Sequence, residues 1–510
     1  MSEVDAREDV APRGTLTLRR LGIDTYQEAV IYMNRNCHVC RAEGFAAQSR
    51  VQVSLGERHL IATLNVVSDS LLNGGEASLS ERAWRTLGAL EGAQVRVSHP
   101  EPLDSLSVLR AKVYGQRIEL QGWREMLADI VEGHYSDLHL AAFVTACAGD
   151  RLDLSETIAL TRAMVEAGER LSWPTSCVVD KHCVGGLPGN RTTLIVVPIV
   201  AAAGLTIPKT SSRAITSPAG TADTMAVLAP VDLTVEKMRH VVEQEGGCIV
   251  WGGNVRLSPA DDLLIRVERP LDFDSEGQLV ASVLSKKIAA GSTHILIDVP
   301  VGATAKVRSP DVARTLGERL IAVGRALGVS VKVHLSDGTQ PVGRGIGPAL
   351  EARDVMAVLR GEPAAPPDLR ERALALAGKV LEFAPGILPG NGLDSARRIL
   401  ESGGAWRKFE AICRAQGGLR EPPRAPLTHV VRAGSAGACA SIDNRRIARV
   451  AKLAGAPRAP AAGLELHVRL GARVDKGAPL YTVHAEAPGE LEYALGYAAR
   501  HPDIVRLEDG

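Results

Sequence analysis

The sequence predicts a multidomain α/β protein: a helical lobe, a large α/β lobe built on a mostly parallel sheet, a β-rich N-terminal extension and a C-terminal α+β domain. Three observations predict this. The chain has 510 residues, which at about 150 residues per domain suggests roughly three domains. Helical periodicity dominates residues 125–171, and short apolar pieces alternate with Ala-rich helical stretches from Cys177 onward. Strands that alternate with helices are typical of parallel sheets.

The predicted domains follow one another in four segments. Residues 1–90 form a β-rich extension, because pieces such as TLTLRRLGI, VQVSL and LIATLNVV are short, apolar and separated by Gly and Asn turns. Residues 100–172, with part of 230–260, form the helical lobe, in which apolar residues recur at three- and four-residue spacings. Residues 173–420 form the α/β phosphate-binding lobe. Residues 428–510, with alternating strands around glycine turns, form a barrel-sandwich-like α+β domain.

Composition and charge narrow the function classes. Lys plus Arg and Asp plus Glu both number 59, and aromatic residues make up 3% of the chain. Neither a global positive field nor a base-stacking platform is expected, which argues against a nucleic-acid partner. The N-terminus is acidic and polar, the longest apolar run (residues 194–205) contains Pro198, and the eight cysteines are mostly isolated. These features predict a cytoplasmic protein without a membrane partner.

The first candidate motif is a glycine-rich turn, DKHCVGGLPGNRTT, at residues 180–193. It follows the apolar CVV and precedes the apolar LIVVPIVAAAG, so it is predicted to join a strand to a helix. Backbone N–H groups and the helix N-terminus of such a turn can hold a phosphate. Lys181 supplies a positive charge and Thr192 or Thr193 a hydroxyl at the helix start, although the spacing is not that of a Walker loop. A tight turn without a ligand is the alternative.

The second motif is KTSSRAITSPAGTADT at residues 209–224. Gly-Thr-Ala-Asp opens a helix, with Thr221 as the predicted N-cap. Capping explains Thr221 but not the crowding of four other hydroxyl residues around Arg213. Short hydroxyl donors beside a guanidinium suit an oxyanion-rich ligand such as phosphate or a ribose phosphate. The four residues are Ser211, Ser212, Thr216 and Ser217.

The third motif combines Arg266 with DFD at residues 272–274 and ASVLSKK at residues 281–287. Ser282 and Lys286 are four residues apart and share one face of a helix, where a hydroxyl and an ammonium can read the carbonyl edge of a base. A solvated Lys-Lys helix end is the alternative. A fourth, glycine-punctuated stretch at residues 337–347 predicts another strand-to-helix turn and no chemistry.

Two further patterns are interpreted as structural. Cys37 and Cys40 supply only two ligands, and no second pair with suitable spacing follows, so no metal site is predicted. The stretch GARVDKGAPL at residues 471–480 is similar to the hairpin of biotinyl and lipoyl domains. Lys476, however, lies in the strand-entry turn common to such barrels, whereas a carrier lysine needs an exposed hairpin tip, so a structural role is favoured.

Five motifs of the chain resemble those of the thymidine phosphorylase family: DKHCVGG, SSRAITSPAGTAD, LVASVLSKK, QPVGRGIG and GARVDKGAPLYTVHA. This family includes thymidine, pyrimidine-nucleoside and AMP phosphorylases. The match runs in order from about residue 125 to the C-terminus. The N-terminal extension, SSRAIT and ADDLLIRVERPLDFD are similar to the longer AMP phosphorylase branch. The resemblance implies a homodimer with the active site in a cleft between a helical and an α/β lobe. There phosphate attacks the anomeric carbon of a nucleoside, releasing the base and a pentose 1-phosphate. No cofactor is predicted, because phosphate is itself the nucleophile and a substrate.

The resemblance also implies roles for individual residues. By the thymidine phosphorylase pattern, the residues that contact phosphate are Lys181, Thr193, Ser211 and Thr221. His182 lies near the leaving group, and the residues that hold the pyrimidine are Arg266, Ser282 and Lys286. By the AMP phosphorylase pattern, Asp274 protonates the departing base, and the nucleotide is contacted by Gly186, Ser212, Arg213, Ala214, Ile215, Thr216, Ser217, Thr221, Ser282 and Lys306.

Departures from these patterns leave the substrate open. Cys183 stands where thymidine phosphorylases place a phosphate-binding Ser, and a thiol is a weaker donor. Ser212 and Ala214 replace glycines, as in the longer branch, whereas Arg266 with Lys286 suits a pyrimidine carbonyl edge. We predict a pentosyltransferase that phosphorolyses pyrimidine nucleosides such as thymidine. AMP or another nucleoside 5′-monophosphate is the alternative substrate, and a non-catalytic nucleotide-binding or carrier protein is the third hypothesis.

Overall fold

The computed structural model of the chain describes residues 14–68, 70–214, 217–255, 257–271 and 275–508. The chain forms two compact units, one up to Ala146 and the other from Cys147 onward. No helix within the described ranges is both long enough and apolar enough to cross a membrane.

Six strands close into a barrel at the start of the first unit, in the order β1-β5-β2-β4-β3-β6. Apolar residues alternate along these strands, so one face of each strand, including Leu16, Val51, Val53 and Val95, is buried in the barrel. The last strand ends at Ser98. The elements are β1 (Thr15–Leu18), β2 (Val30–Asn34), α1 (His38–Glu43), β3 (Arg50–Leu55), β4 (Arg58–Val67), β5 (Glu76–Leu79), α2 (Glu81–Leu87) and β6 (Gln94–Ser98).

The Cys37–Cys40 pair belongs to this barrel. Both side chains are buried, and the Cys37 sulfur caps α1 by accepting a hydrogen bond from the Cys40 backbone N–H at 3.1 Å. The cap at the helix start explains the position of Cys37 without a ligand.

Helices follow the barrel, and they divide between the two units. In the first unit, Trp123 and Phe143 pack edge to face with their ring centroids 5.9 Å apart. The next helix belongs to the second unit, so the predicted helical lobe of residues 100–172 contributes to both units. The helices are α3 (Ser105–Val113), α4 (Leu120–Val131), α5 (Asp137–Ala146) and α6 (Leu154–Glu166).

Parallel strands form the centre of the second unit. Strands β7, β10 and β11 pair in parallel, β8 pairs in parallel with β9, and a single parallel bridge from Val178 to Thr206 connects the two groups. The strands and their first helices are β7 (Val179–Cys183), α7 (Thr193–Ala202), β8 (Ile207–Ser211), α8 (Thr221–Ala226), α9 (Val235–Glu245), β9 (Gly247–Trp251), α10 (Pro259–Leu271), α11 (Glu276–Ala289), β10 (His294–Val301), α12 (Pro310–Ala326) and β11 (Ser330–Asp337).

Helix α7 lies at the centre of this core. It is apolar on every side, and its residues from Thr193 to Ala201 are all buried, as expected for a helix that is surrounded by protein. Helices α14 and α16 pack against it. The remaining elements of this region are β12 (Gly345–Ile346), α13 (Pro348–Arg360), α14 (Pro367–Leu381), α15 (Gly392–Glu401) and α16 (Gly404–Gln416).

Two small antiparallel sheets form the C-terminal part. One has the order β12-β15-β17-β13 and so includes a strand from the preceding region, and the other has the order β16-β14-β18. Lys476 is exposed in the turn between β16 and β17. The elements are β13 (Leu427–Arg432), β14 (Gly437–Ile442), α17 (Asn444–Leu453), β15 (Gly463–Leu466), β16 (Arg473–Val474), β17 (Pro479–Ala485), α18 (Pro488–Arg500) and β18 (Val505–Glu508).

Candidate active site

The glycine-rich turn leaves the carboxyl end of β7 and enters α7. Thr192 is the N-cap of this helix and Thr193 its first residue, so the Thr193 hydroxyl lies where backbone N–H groups are unpaired. Gly189 has a φ of 73°, and a Cβ there would lie 2.0 Å from the carbonyl oxygen of Val342. Only glycine therefore fits at this close approach, which fixes the path of the turn.

The second loop leaves the carboxyl end of β8 and enters α8. The Ser211 hydroxyl oxygen is buried, and it has no hydrogen-bond partner among the residues that the structure describes. The prediction of Thr221 as N-cap is wrong: Gly220 is the N-cap and Thr221 begins the helix. The Asp223 carboxylate accepts hydrogen bonds from the backbone N–H groups of Gly220 (2.9 Å) and Ala214 (2.6 Å), which closes the loop onto the helix start.

Arg191 connects the two loops. Its guanidinium donates to the Thr221 hydroxyl at 3.1 Å and to the Ala219 carbonyl at 3.0 Å, and its Nε donates to the carboxylate of Glu351 on α13. Glu351 is fully buried and also accepts from the Thr224 hydroxyl at 3.0 Å. The sequence analysis did not single out Arg191, although an arginine directly before a Thr-Thr helix start is a signal for an anion site.

The buried carboxylate of Asp180 connects the first loop to the second through ion pairs. Asp180 forms ion pairs with Lys209 at 3.1 Å and with Lys287 of α11 at 3.0 Å, and all three side chains are almost completely buried. Burial lowers the pKa of Lys287. One carboxylate facing two ammonium groups gives this cluster a positive charge whenever both lysines are protonated. The cluster also places α11 beside β7 and β8.

Lys181 and His182 lie within this positive environment. Lys181 is fully buried and donates to the Thr192 hydroxyl at 2.8 Å. Its ammonium adds positive charge at the N-terminus of α7, where the helix dipole also favours an anion. Burial, together with Lys287, Lys209, Lys286 and Lys181, lowers the pKa of His182 well below its usual value. His182 is therefore neutral at neutral pH.

The predicted phosphate-loop cysteine is a poor donor in the structure. The Cys183 sulfur accepts a hydrogen bond from the Asn190 side-chain amide at 3.2 Å. Burial and the nearby Asp298 raise the pKa of Cys183 to about 12. The thiol is therefore uncharged at neutral pH.

Helices α10 and α11 carry the residues predicted to hold a base. Lys286 forms an ion pair with Asp261 at 2.5 Å, and its side chain keeps 21% of its surface exposed. Burial opposes the charge of Lys286, but pairing with Asp261 outweighs it and raises the pKa. Ser282 and Arg266 are both partly exposed. Lys286 is thus a fixed cation that still reaches solvent, and the alternative of a solvated Lys-Lys helix end is wrong, because Lys287 is also buried and paired.

Glu268 is a further candidate that sequence reasoning missed. Burial, with a contribution from Asp261, raises its pKa to about 7, while Lys286 and Lys306 act in the opposite direction. A carboxyl group that titrates near neutral pH can act as a general acid or base. Its sequence context, an ordinary charged helix, carried no signal for this.

The remaining predicted residues have different surroundings. Gly186 lies against Lys306, since a Cβ on Gly186 would be 3.0 Å from the Lys306 backbone nitrogen. Arg213 is engaged elsewhere, because it pairs with Asp232 at 3.1 Å and stacks on Trp251 at 4.9 Å. Ser212 is exposed and Ser217 donates to the Ala219 carbonyl. Outside the described residues lie Ile215, Thr216 and Asp274.

Three family models match the chain in succession. The helical bundle domain of the glycosyl transferase family matches residues 106–168, and the a/b domain of that family matches residues 175–406. The pyrimidine nucleoside phosphorylase C-terminal domain matches residues 438–503.

Several relatives are similar over nearly their whole length, and each bears the name "putative thymidine phosphorylase". The relative from Polaromonas sp. is 63% identical over 495 residues, which is 97% of each chain. That from Legionella pneumophila (strain Paris) is 58% identical and covers 96% of this chain and 95% of its own. That from Hahella chejuensis is 57% identical and covers 97% and 98%.

The fold is similar to that of a solved phosphoribosyltransferase. The anthranilate phosphoribosyltransferase from Thermus thermophilus superposes with a TM-score of 0.50, at 22% identity over 60% of this chain and 98% of its own. Together with the matches to the helical bundle and a/b domains, this likeness confirms the predicted fold class.

Proposed function

The chain belongs to the thymidine phosphorylase family, as its motifs predicted, and from this membership we propose that it cleaves thymidine with phosphate to give thymine and 2-deoxy-D-ribose 1-phosphate. The a/b domain and the nucleoside phosphorylase C-terminal domain both support a pentosyltransferase that acts on pyrimidine nucleosides.

The observation that carries the proposal is the link made by Arg191 between the two hydroxyl-bearing loops. It brings the start of α8, with Thr221, to the turn that ends at Thr193. Beside them, the buried Ser211 hydroxyl has a free hydrogen-bonding capacity within the described residues. Two helix starts, three hydroxyls and a guanidinium provide the donors that a phosphate dianion needs. We assign phosphate to this site, and the buried Lys181, which donates to Thr192, contributes positive charge.

In the proposed reaction, a phosphate oxygen forms a bond to the anomeric carbon while the bond from that carbon to the base nitrogen breaks. The bonding electrons leave with the base, so negative charge grows on its carbonyl edge as the sugar becomes cationic. We assign the stabilisation of that edge to Lys286, Ser282 and Arg266. Positioning of the nucleophile and electrostatic stabilisation then supply the rate acceleration, and the step needs no cofactor.

The substrates are thus a small nucleoside and inorganic phosphate. We further propose a homodimer in the cytoplasm and activity that survives removal of metal ions. Sedimentation equilibrium tests the dimer, which is twice the mass of the chain. Activity assays after dialysis against EDTA test whether the reaction needs a metal ion. Activity that is lost and then restored only by an added divalent ion would contradict this part of the proposal.

A nucleoside 5′-monophosphate such as AMP is the second candidate substrate. The observation in its favour is the contact between Gly186 and the exposed Lys306. The contact involves the backbone and Cβ of Lys306, so this exposed side chain begins beside the glycine-rich turn, and its ammonium is the proposed partner of a 5′-phosphate. The products would be free base and ribose 1,5-bisphosphate.

One assay separates the two candidates. The purified protein is incubated with phosphate and either thymidine, uridine or AMP, and free base is measured by chromatography. We expect thymine from thymidine, dependent on phosphate, and at least about tenfold less thymine with the Thr221→Val variant at low phosphate. Adenine from AMP, with no base from either nucleoside, would reject the first proposal in favour of the second.

A further inference from the structure

A cavity in the second unit is lined by residues other than those of the two hydroxyl-bearing loops. Its volume is about 380 Å³, which falls in the range of small-molecule sites. It lies among α13, the segment that leads from α16 to β13, and strands β15 and β17. The polar residues that line it include Arg353, Arg424, Thr428, Glu465 and His484. No residue assigned to the proposed active site lines it.

Two arginines, Arg353 and Arg424, line this cavity together with the carboxylates of Asp354 and Glu465. Arg353 donates to the Pro423 carbonyl at 2.5 Å, and among the described residues no carboxylate forms a salt bridge with the guanidinium of Arg353 or of Arg424. Burial and the charge of Arg424 lower the pKa of Arg353. Glu465 and Asp354 act in the opposite direction. Both arginines line the same cavity of about 380 Å³, so one ligand bound there can contact both.

The carboxylates of the cavity already have partners. Asp354 accepts hydrogen bonds from the backbone N–H groups of Arg344 at 2.6 Å and Gly345 at 2.7 Å. Glu465 lies 3.8 Å from His484, which lowers the pKa of Glu465. Beside these carboxylates, the two guanidinium groups remain as N–H donors for an anionic ligand.

His484 supplies a buried polar atom, Nε2, which lies 3.8 Å from the Glu465 carboxylate. Its Nε2 is buried and has no hydrogen-bond partner within the part of the chain that the structure describes. Leaving a buried polar nitrogen unpaired costs free energy, which a ligand bound in the cavity can recover. The exposed Thr428 hydroxyl adds another donor at the rim.

We propose that this cavity binds a small metabolite that carries a phosphate or carboxylate group, held between Arg353 and Arg424. Guanidinium forks match both anions with paired hydrogen bonds. The size of the cavity accommodates a molecule larger than a bare ion, with Glu465 and His484 facing the part that lies beyond the anionic group. This site is additional to the proposed active site and does not depend on the reaction catalysed there.

Equilibrium dialysis with radiolabelled inorganic phosphate tests the proposal on the full-length protein. We expect one more phosphate bound per chain in the wild type than in the double variant Arg353→Gln, Arg424→Gln. Each single variant should weaken that binding at least about tenfold. The control Arg420→Gln removes the same charge from the same segment outside the cavity, and it should retain the wild-type stoichiometry.

The comparison remains valid if the active site binds no phosphate, because it rests on the difference between variants. Thermal unfolding confirms that each variant is folded. Competition identifies the source of the anion: displacement of this phosphate by AMP assigns a phosphorylated ligand, and displacement by malonate assigns a carboxylate. Equal stoichiometry in the wild type and the folded double variant would overturn the proposal.

Discussion

Arg191 shows how a single side chain can assemble an anion site from two separate loops. It reaches the Thr221 hydroxyl and the Ala219 carbonyl of one loop from its position in the other. Because both loops begin at the carboxyl ends of neighbouring strands, a short bridge suffices. The phosphate site therefore depends on a residue that is not itself one of the predicted phosphate ligands.

The Thr221 hydroxyl provides the first test. Thr221→Val keeps the shape of the side chain but removes the hydroxyl that faces Arg191, so binding of the phosphate dianion should weaken. We expect KM for phosphate to rise at least about tenfold, with a smaller change in KM for the nucleoside. Steady-state kinetics with phosphate varied measures this. Thr175→Val, an exposed site in the same unit, should leave both constants unchanged, and an unchanged phosphate KM in Thr221→Val would contradict the assignment.

The second test concerns the charge of His182. Burial and four lysines hold its pKa well below its usual value, so the ring stays neutral as pH falls from 8 to 6 and gains its proton only in more acidic solution. We expect kcat/KM of the wild type and of His182→Asn to follow the same pH dependence between pH 6 and 8. A limb near pH 6.5 that is present in the wild type and missing in the variant would show that His182 titrates there.

For single residues of the site, the sequence predicted the types of side chain better than it predicted which side chains contact one another. The hydroxyls, glycines and lysines of both loops stand out in the sequence. The partners do not, because they come from distant segments: Lys287 pairs with Asp180 of β7, and Arg191 pairs with Glu351 of α13. Ion pairs of this kind are set by tertiary packing, which local spacing does not encode.

Helix α13 is the element that supports the phosphate loops. Its Glu351 carboxylate is fully buried and accepts from Arg191 and Thr224. Burial raises the pKa of Glu351, whereas Arg191 acts in the opposite direction. Through Glu351, the helix thereby fixes the position of Arg191.

Neutralising Glu351 should therefore affect both stability and phosphate binding. Glu351→Gln leaves the Arg191 guanidinium, only 11% exposed, without its counter-charge. We expect the free energy of unfolding to fall by about 3 kcal/mol, measured by urea denaturation, and KM for phosphate to rise. Glu371→Gln, whose side chain is 52% exposed in a surface pair with Arg370, should cost less than about 1 kcal/mol. Equal losses in the two variants would show that the buried pair has no special role.

The order of helices and strands was more predictable than the residues at which they begin and end. The alternation of strand, glycine turn and helix after Cys177 predicted β7, α7, β8 and α8 in the right order. The N-cap of α8 was misplaced by one residue, because Gly220 takes the extended conformation there and Asp223 supplies the cap from within the helix. Capping preferences by residue type do not anticipate a side chain that reaches back from the third helical position.

For the whole molecule, periodicity revealed the β-rich start of the chain but not its closure. Strand β1 pairs in parallel with β5 and antiparallel with β6, and these pairings close the barrel. The register of such long-range pairs depends on the complete set of strands. The length of the chain predicted roughly three domains, and the structure forms two compact units. The division of the helices between these units depends on packing that the sequence pattern does not show.

Closure of the barrel leads to the last prediction. A closed barrel has no unpaired edge, and this one buries its own apolar cluster, including Leu16, Ile31, Val53 and Leu64. We therefore expect a fragment of residues 1–100 to fold alone, with a cooperative thermal transition and a free energy of unfolding of roughly 4 to 10 kcal/mol. Circular dichroism measures both. The matched fragment with Val53→Asp places an unpaired charge in the barrel and should show no transition. If the unaltered fragment also lacks a transition, the barrel depends on the rest of the chain for its stability.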